Sequence, residues 1–253
     1  MTTPTVGLFI VDTESYVLAN NAIEHSLGAA DFKSVTVLTD APWHWPKYRT
    51  IHIKKLSSVE QYNKIILDVL PNLMETDYVL VIQYDGFVLH PELFSTKYFE
   101  FDYIGAPWPA AFGSFNVGNG GFSWRSRRLV EAAAALSMHR GENLAEDLFI
   151  CVQARTALEE FYSVKFADLQ TASAFSVESQ PLIQKTLGFH GVFHLPKVYS
   201  DNIEYLIENL PERNLTNNLL LLNVNESRYT SHEVAYIRDL ISKRLSGNKI
   251  HQR

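Results

Sequence analysis

Cysteine is nearly missing from this 253-residue sequence. With Cys151 alone, no intrachain disulfide and no cysteine-built zinc or iron–sulfur site can form, and a reducing compartment is the natural setting. Positive charge is also scarce, with 22 Lys and Arg against 28 Asp and Glu and a net charge of −6. Nucleic acid is therefore disfavoured as a partner, because neutralising phosphates draws on clustered Lys and Arg. No apolar run approaches the roughly 18 to 20 residues that cross a bilayer. The start, MTTPTVGLFIVDTESYVL, carries no basic segment ahead of its apolar stretch, unlike a signal peptide. A soluble, cytoplasmic protein is expected. H-E-x-x-H, G-x-S-x-G and the protein-kinase signature set are all lacking, which argues against zincin, serine-hydrolase and kinase chemistry. Internal repeats and low-complexity linkers are missing too.

What is present is apolar: 46% of the residues are hydrophobic and 12% aromatic, enough to bury a full core. Val6 to Val11 and Val35 to Leu38 are continuous, β-branched runs on either side of a helix predicted from Tyr16 to Leu27. Strands without a polar face point to a parallel sheet covered on both sides. Ile51 and Ile53 add a short strand, and Ser58 to Leu70 reads as a helix that stops before Pro71. The strongest buried strand is Tyr78-Val-Leu-Val-Ile82. Beyond it, Pro107, Pro109, Gly113 and Gly118 break the alternation, after which helices are predicted over Ser126 to Leu136 and from Glu146 to about Glu160. Short strand candidates follow at Val164 to Ala167 and Phe175 to Val177. An α/β domain over 1–195 with a small C-terminal helical appendage over 196–253 is the expected organisation. Asn-x-Ser/Thr sequences at Asn214 and Asn225 are read as chance matches.

Chemistry concentrates at a few places. Asp85 follows the best strand, where open α/β sheets bind ligands, and a carboxylate there can hold Mg²⁺ or Mn²⁺ and through it a diphosphate. The plain alternative is an Asp-Gly turn. Val117-Gly-Asn-Gly-Gly-Phe-Ser123 leads into a helix but fits neither usual phosphate-cradle template; its glycines would let backbone approach a flat sugar ring. Arg125 is read either as a phosphate partner or as one of several solvated arginines at a helix start. Glu146 and Asp147 suit a general base or simply the first turn of a helix. His190, between Phe189 and Gly191, is a nitrogen ligand or a packing residue. Cys151, among Phe149, Ile150 and Val152, reads as a buried small hydrophobe.

In order, Tyr78 to Pro91, Phe101-Asp-Tyr-Ile-Gly-Ala-Pro-Trp108, Val117 to Ser123 and Ala145-Glu-Asp147 resemble the glycosyltransferase-like family of bacterial and large-virus proteins long catalogued as a domain of unknown function. That family is related to GT-A fold nucleotide-sugar glycosyltransferases, and the resemblance covers about residues 55–195. It implies a GT-A-like fold, with a mixed central sheet flanked by helices. The activity it implies is metal-assisted, inverting transfer of a sugar from a nucleotide-diphosphate sugar to a hydroxyl of a glycan or lipid-linked acceptor, as in polysaccharide biosynthesis. On the resemblance, Asp85 and His190 hold Mn²⁺ or Mg²⁺, although Gln83-Tyr84-Asp85 stands where GT-A enzymes usually show Asp-x-Asp. Asp147 is the base with Glu146 its neighbour. Asp12, Thr13, Asp40, Tyr84, Asp85 and Arg125 face the nucleotide. Trp108, Gly118, Asn119, Gly120, Gly121 and Phe122 line the sugar and acceptor pocket. The competing readings are a carbohydrate- or nucleotide-binding protein without turnover, motivated by Gln83, and a nucleotidyltransferase. Oligomeric state and any peripheral membrane association of the appendage are left open.

Overall fold

The computed structural model describes residues 3–42, 46–109, 115–141, 144–179, 182, 185–216, 220 and 230–247; Gly113 and Asn225 lie outside them. Its strands are β1 (Val6–Val11), β2 (Phe32–Thr39), β3 (Arg49–His52), β4 (Tyr78–Ile82), β5 (Tyr103–Ile104), β6 (Ala106–Pro107), β7 (Val117–Gly118), β8 (Ser123–Ser126), β9 (Ser176–Val177) and β10 (Gly188–Phe189). Six form one mixed sheet in the order β3-β2-β1-β4-β8-β5. The first four run parallel, while β8 is antiparallel to both β4 and β5. The fully parallel sheet suggested by the apolar runs thus holds for the N-terminal half and gives way at β8, where Trp124 alternates with the polar Ser123 and Arg125.

The helices are α1 (Tyr16–Ser26), α2 (Val59–Lys64), α3 (Leu70–Leu73), α4 (Arg127–Leu136), α5 (Glu146–Leu148), α6 (Arg155–Tyr162), α7 (Leu169–Phe175), α8 (Leu195–Val198), α9 (Ile203–Asn209), α10 (Glu212–Thr216) and α11 (Ser231–Leu245). Side chains of β1 alternate between two cores. Leu8 and Ile10 join Leu18 and Ile23 of α1, whereas Phe9 and Val11 join Ile65, Ile66 and Leu70. Ser126 caps α4, its hydroxyl accepting the Leu129 N–H at 3.1 Å.

Two helices depart from the sequence pattern. The one expected to stop before Pro71 passes through it. A wide π turn over Ile65–Val69 ends there, and Pro71 falls in the first turn of α3, where a missing N–H and a fixed φ cost little. The helix predicted from Glu146 to Glu160 is interrupted by a second π turn, Phe149–Gln153, before α6 begins at Arg155. Cys151 sits in that turn, fully buried.

Among the described residues no helix is long and apolar enough to cross a membrane. The C-terminal helices share the main core: Leu206, Ile207, Leu210, Leu215, Leu240 and Ile241 belong to the cluster that holds Leu8, Ile10 and Leu18. Leu206 is fully buried in it, so Leu206→Ala will cost about 2–5 kcal/mol by cavity formation. Denaturant unfolding should show this as a lower midpoint of a single transition. A variant with an unchanged main transition would mean that these helices are only loosely attached.

Candidate functional site

Parallel strands leave their carboxyl ends on one side of the sheet, and there the chain encloses a cavity of about 720 Å³. The end of β1 supplies Asp12, Thr13 and Glu14, and the end of β4 supplies Gln83, Tyr84 and Asp85. Gly120, Gly121, Glu146, Asp147 and His190 come in from the second half of the chain.

Asp12 is buried, and its Oδ1 accepts the N–H groups of Glu14 at 3.0 Å and Ser15 at 2.8 Å, opening α1. Burial lifts its carboxyl to about 6, the two N–H groups pulling the other way and Glu14 and Asp85 adding a smaller push upward. Thr13 is tied down through Oγ1, which accepts the Leu56 N–H at 3.1 Å. Asp85 lies in a tight turn in which Gln83 and Gly86 exchange backbone hydrogen bonds of 2.8 and 3.0 Å. The turn points Asp85 into the cavity, so a turn and a place at the cavity wall coincide here. The Tyr84 hydroxyl accepts from Asn214 Nδ2 at 2.7 Å, and burial pushes that phenol up. Asp40 accepts from Tyr16 at 2.8 Å and is not among the described residues lining the cavity.

Asp147 is held at both oxygens, Oδ1 by the Leu148 N–H at 2.8 Å and Oδ2 by the Gly120 N–H at 3.2 Å. Burial raises its carboxyl to about 6, with the charge of Glu146 next in effect. The neighbouring Glu146 has another task. Its two oxygens meet Arg125 Nη1 and Nη2, each at 2.9 Å, with only 1% and 3% of the two side chains exposed. Arg125 Nε donates to Ser123 Oγ at 2.9 Å, and Nη2 also reaches the Gly120 carbonyl at 3.3 Å. The guanidinium is thus consumed inside the protein, behind the cavity wall. This is a different place from the phosphate-facing one expected of it, and Glu146 is its counter-charge.

The glycine loop also has a different rationale. A Cβ on Gly120 would lie 1.8 Å from Glu146 Oε1, one on Gly121 2.1 Å from His190 Nε2, and one on Gly118 2.2 Å from the Trp108 ring. These residues are glycine because charged and aromatic side chains pack against them from within the protein. Asn119 turns the loop at φ 83°, its Oδ1 accepting the Gly121 N–H at 2.8 Å. Phe122 is fully buried and stacked on Phe175 at 4.9 Å, which makes it core rather than a sugar platform. Trp108 leans on Gly118 and donates to Glu178 Oε2 at 3.1 Å; it is not among the described residues lining the cavity.

Glu178 was not singled out from the sequence. It binds His190 Nδ1 at 3.0 Å, while His190 Nε2 faces Gln83 Oε1 at 3.2 Å. Burial alone would lower the imidazole, but the bond to Glu178 and the charges of Asp85, Glu178 and Asp147 hold it up at about 9. At neutral pH it is a cation that donates at both nitrogens. For the expected divalent ion, Asp85 is the one acid of the motif, Gln83 standing where a second would be, and both His190 nitrogens already face protein partners. Among the described residues, no group of three or more His, Cys, Asp or Glu is arranged to hold a metal. Asn63 was likewise unforeseen; its Oδ1 accepts the Glu146 N–H at 3.1 Å and orients the start of α5.

The model of the family described as "Protein of unknown function (DUF5672)" matches residues 46–190. No curated protein matches the sequence. Solved structures similar to the chain include the apo-form glycosyltransferase GlyE of Streptococcus pneumoniae TIGR4, at 16% identity and a TM-score of 0.44, covering 74% of this chain and 54% of that one. Another is a glycosyltransferase involved in glycosylation of the major capsid of PBCV-1, at 12% identity and 0.48, covering 74% and 92%. A third is glucosyl-3-phosphoglycerate synthase from Mycobacterium tuberculosis in complex with Mn²⁺ and UDP-glucose, at 11% identity and 0.36, covering 57% and 67%. The chain spans about half the length of the first of these.

Proposed function

The chain belongs to that family of proteins of unknown function, and from this premise we propose that it is a glycosyltransferase that moves a sugar from a nucleotide-diphosphate sugar to a hydroxyl of a glycan or lipid-linked acceptor, with inversion. The observation that carries the reading is Asp147, a carboxylate lining the cavity, gripped by two backbone N–H groups and lifted to about 6. A base of that strength is ionised at neutral pH yet basic enough to take a proton. In the proposed step the acceptor oxygen attacks the anomeric carbon as its O–H proton passes to Asp147. The bond from that carbon to the diphosphate breaks, and its electron pair leaves with the nucleoside diphosphate. The transition state has oxocarbenium character, as in glycoside hydrolysis, and the leaving charge grows beside the His190 imidazolium. Asp12 and Thr13 are assigned to the nucleoside at the end of β1. Glu146 and Arg125 are positioning residues, acting through Gly120 and Asp147.

A thermal-shift screen of nucleoside diphosphates and their sugars, with Mn²⁺ and with EDTA, tests the donor class. A ligand at 100 times its Kd stabilises by about 2.7 kcal/mol; for a chain of this size that is roughly 5–10 °C in Tm. A donor should shift the melting point by that amount. If simple glycans shift it and no nucleotide does, the protein is a carbohydrate binder. If only nucleoside triphosphates do, with release of pyrophosphate, it is a nucleotidyltransferase.

A further inference from the structure

The cavity has a charge problem. Asp12, Glu14, Asp85, Glu146 and Asp147 line it, against two basic side chains among the described lining residues, His190 and Arg213. The charge of Glu146 is already met by Arg125, which leaves an acidic pocket for a ligand that would itself be strongly anionic. His190 is fixed between Glu178 and Gln83. Arg213 is different. It comes from α10, in the C-terminal region whose composition gave no hint of a role in the site.

The backbone at Arg213 is anchored while its head is exposed. On the next residue, Asn214 is buried and donates to Tyr84, which precedes Asp85; Leu215 is buried in the main core. The Arg213 side chain, in contrast, is 61% exposed and pairs at 2.5 Å with Glu14, itself a lining residue of the same cavity. An exposed ion pair of this kind contributes little to stability. An incoming diphosphate, with more charge and a bidentate face for the guanidinium, competes well against one carboxylate.

We propose that Arg213 is the donor-site cation that leaves Glu14 to bind the diphosphate of the nucleotide-sugar, so that the C-terminal segment completes the site. The assignment rests on the glycosyltransferase reading above. Glu14 holds the guanidinium at the cavity rim until the ligand arrives, and so opposes binding. Removing the two partners of this pair therefore has opposite effects.

Calorimetric titration in EDTA at fixed ionic strength tests this, using UDP, GDP, CDP, TDP and ADP with the matching nucleosides against wild type, Arg213→Gln, Arg213→Lys and Glu14→Gln. For the best-binding diphosphate, Arg213→Gln should lose at least tenfold in affinity, Arg213→Lys should fall between it and wild type, and Glu14→Gln should gain several-fold. Affinity for the free nucleoside should change less than twofold throughout. A purely structural ion pair predicts that Arg213→Gln and Glu14→Gln fall together, and that result, or no change in Arg213→Gln, overturns the assignment while leaving the donor class standing. If wild type binds none of the diphosphates in EDTA or with Mn²⁺, both the assignment and the glycosyltransferase reading fall.

Discussion

Asp147→Asn will lower sugar transfer by about 10²–10⁴-fold, the range for loss of a general base, while donor affinity stays within a few-fold of wild type. The amide keeps the shape of the side chain and loses its basicity, so kcat should carry the defect and KM for the donor should not. The wild-type rate should fall on the acid side through about pH 6, where Asp147 takes up its proton, and the residual rate of the variant should lack that limb. Full transfer by Asp147→Asn, or an acid limb that survives the substitution, would remove Asp147 from the role of base.

The same carboxylate leaves a mark on stability, with a definite sign. Folded Asp147 holds its proton up to about pH 6, whereas an unfolded aspartate releases it near its ordinary value of about 3.9. Between those values the folded chain binds more protons than the unfolded one, so the contribution of Asp147 to stability declines as pH rises through the window and is constant above it. Asp12 titrates in the same window for the same reason, burial. Each carboxylate thus costs the fold on the order of 2 kcal/mol at neutral pH, at ~1.4 kcal/mol per pH unit and discounting for water that reaches the cavity. In Asp147→Asn the decline between pH 4 and 6 should be about half as steep. Two acids kept ionised at a cost to the fold mark a site selected for chemistry rather than stability.

Much of this was readable in the sequence, for reasons that can be named. The strands β1, β2 and β4 are continuous apolar runs because both faces are covered, and such runs end where the sheet ends. Asp85 stood out because it follows such a run, and Asp12 and Thr13 through the family resemblance; all three line the cavity. Where sequence reading stopped was in telling a residue that faces the ligand from one that holds such a residue in place. Glycine in Gly118-Asn-Gly-Gly121 looked like room for a substrate, but that room is filled by Trp108, Glu146 and His190. Arg125 and Glu146 sit 21 positions apart, and no local spacing announces a pair made by an antiparallel strand and a distant helix start. Glu178 was available to the rule that exposed Asp85, since it directly follows β9, but a two-residue strand gives too weak a signal to mark its end. Arg213 had no signal at all, because its proximity to Glu14 depends on how the C-terminal helices pack over α1.

Arg125→Met will be the most destabilising single change at the site, costing about 3–5 kcal/mol. Burial alone would lower the affinity of the guanidinium for its proton, but Glu146 more than offsets this, so the pair exists as two charges inside the protein. Removing the cation leaves a carboxylate with 3% of its side chain exposed and no partner of opposite sign, while Ser123 Oγ and the Gly120 carbonyl lose their bonds to the guanidinium and keep the 3.0 Å bond between them. For a chain of this length, roughly 2–4 °C in Tm per kcal/mol makes that a fall of about 6–20 °C. Arg125→Met/Glu146→Leu should recover most of the loss, because an apolar pair of similar volume carries no desolvation cost, and the double-mutant cycle then reports a large coupling energy. The recovered protein should still be inactive. Arg125 Nη2 binds the Gly120 carbonyl, the Gly120 N–H binds Asp147 Oδ2, and Glu146 is the residue before Asp147, so the ion pair is the brace that sets the angle of the base. Stability restored with activity still lost would separate the two roles of the pair, whereas a single variant within 1 kcal/mol of wild type would show that Glu146 is neutralised some other way.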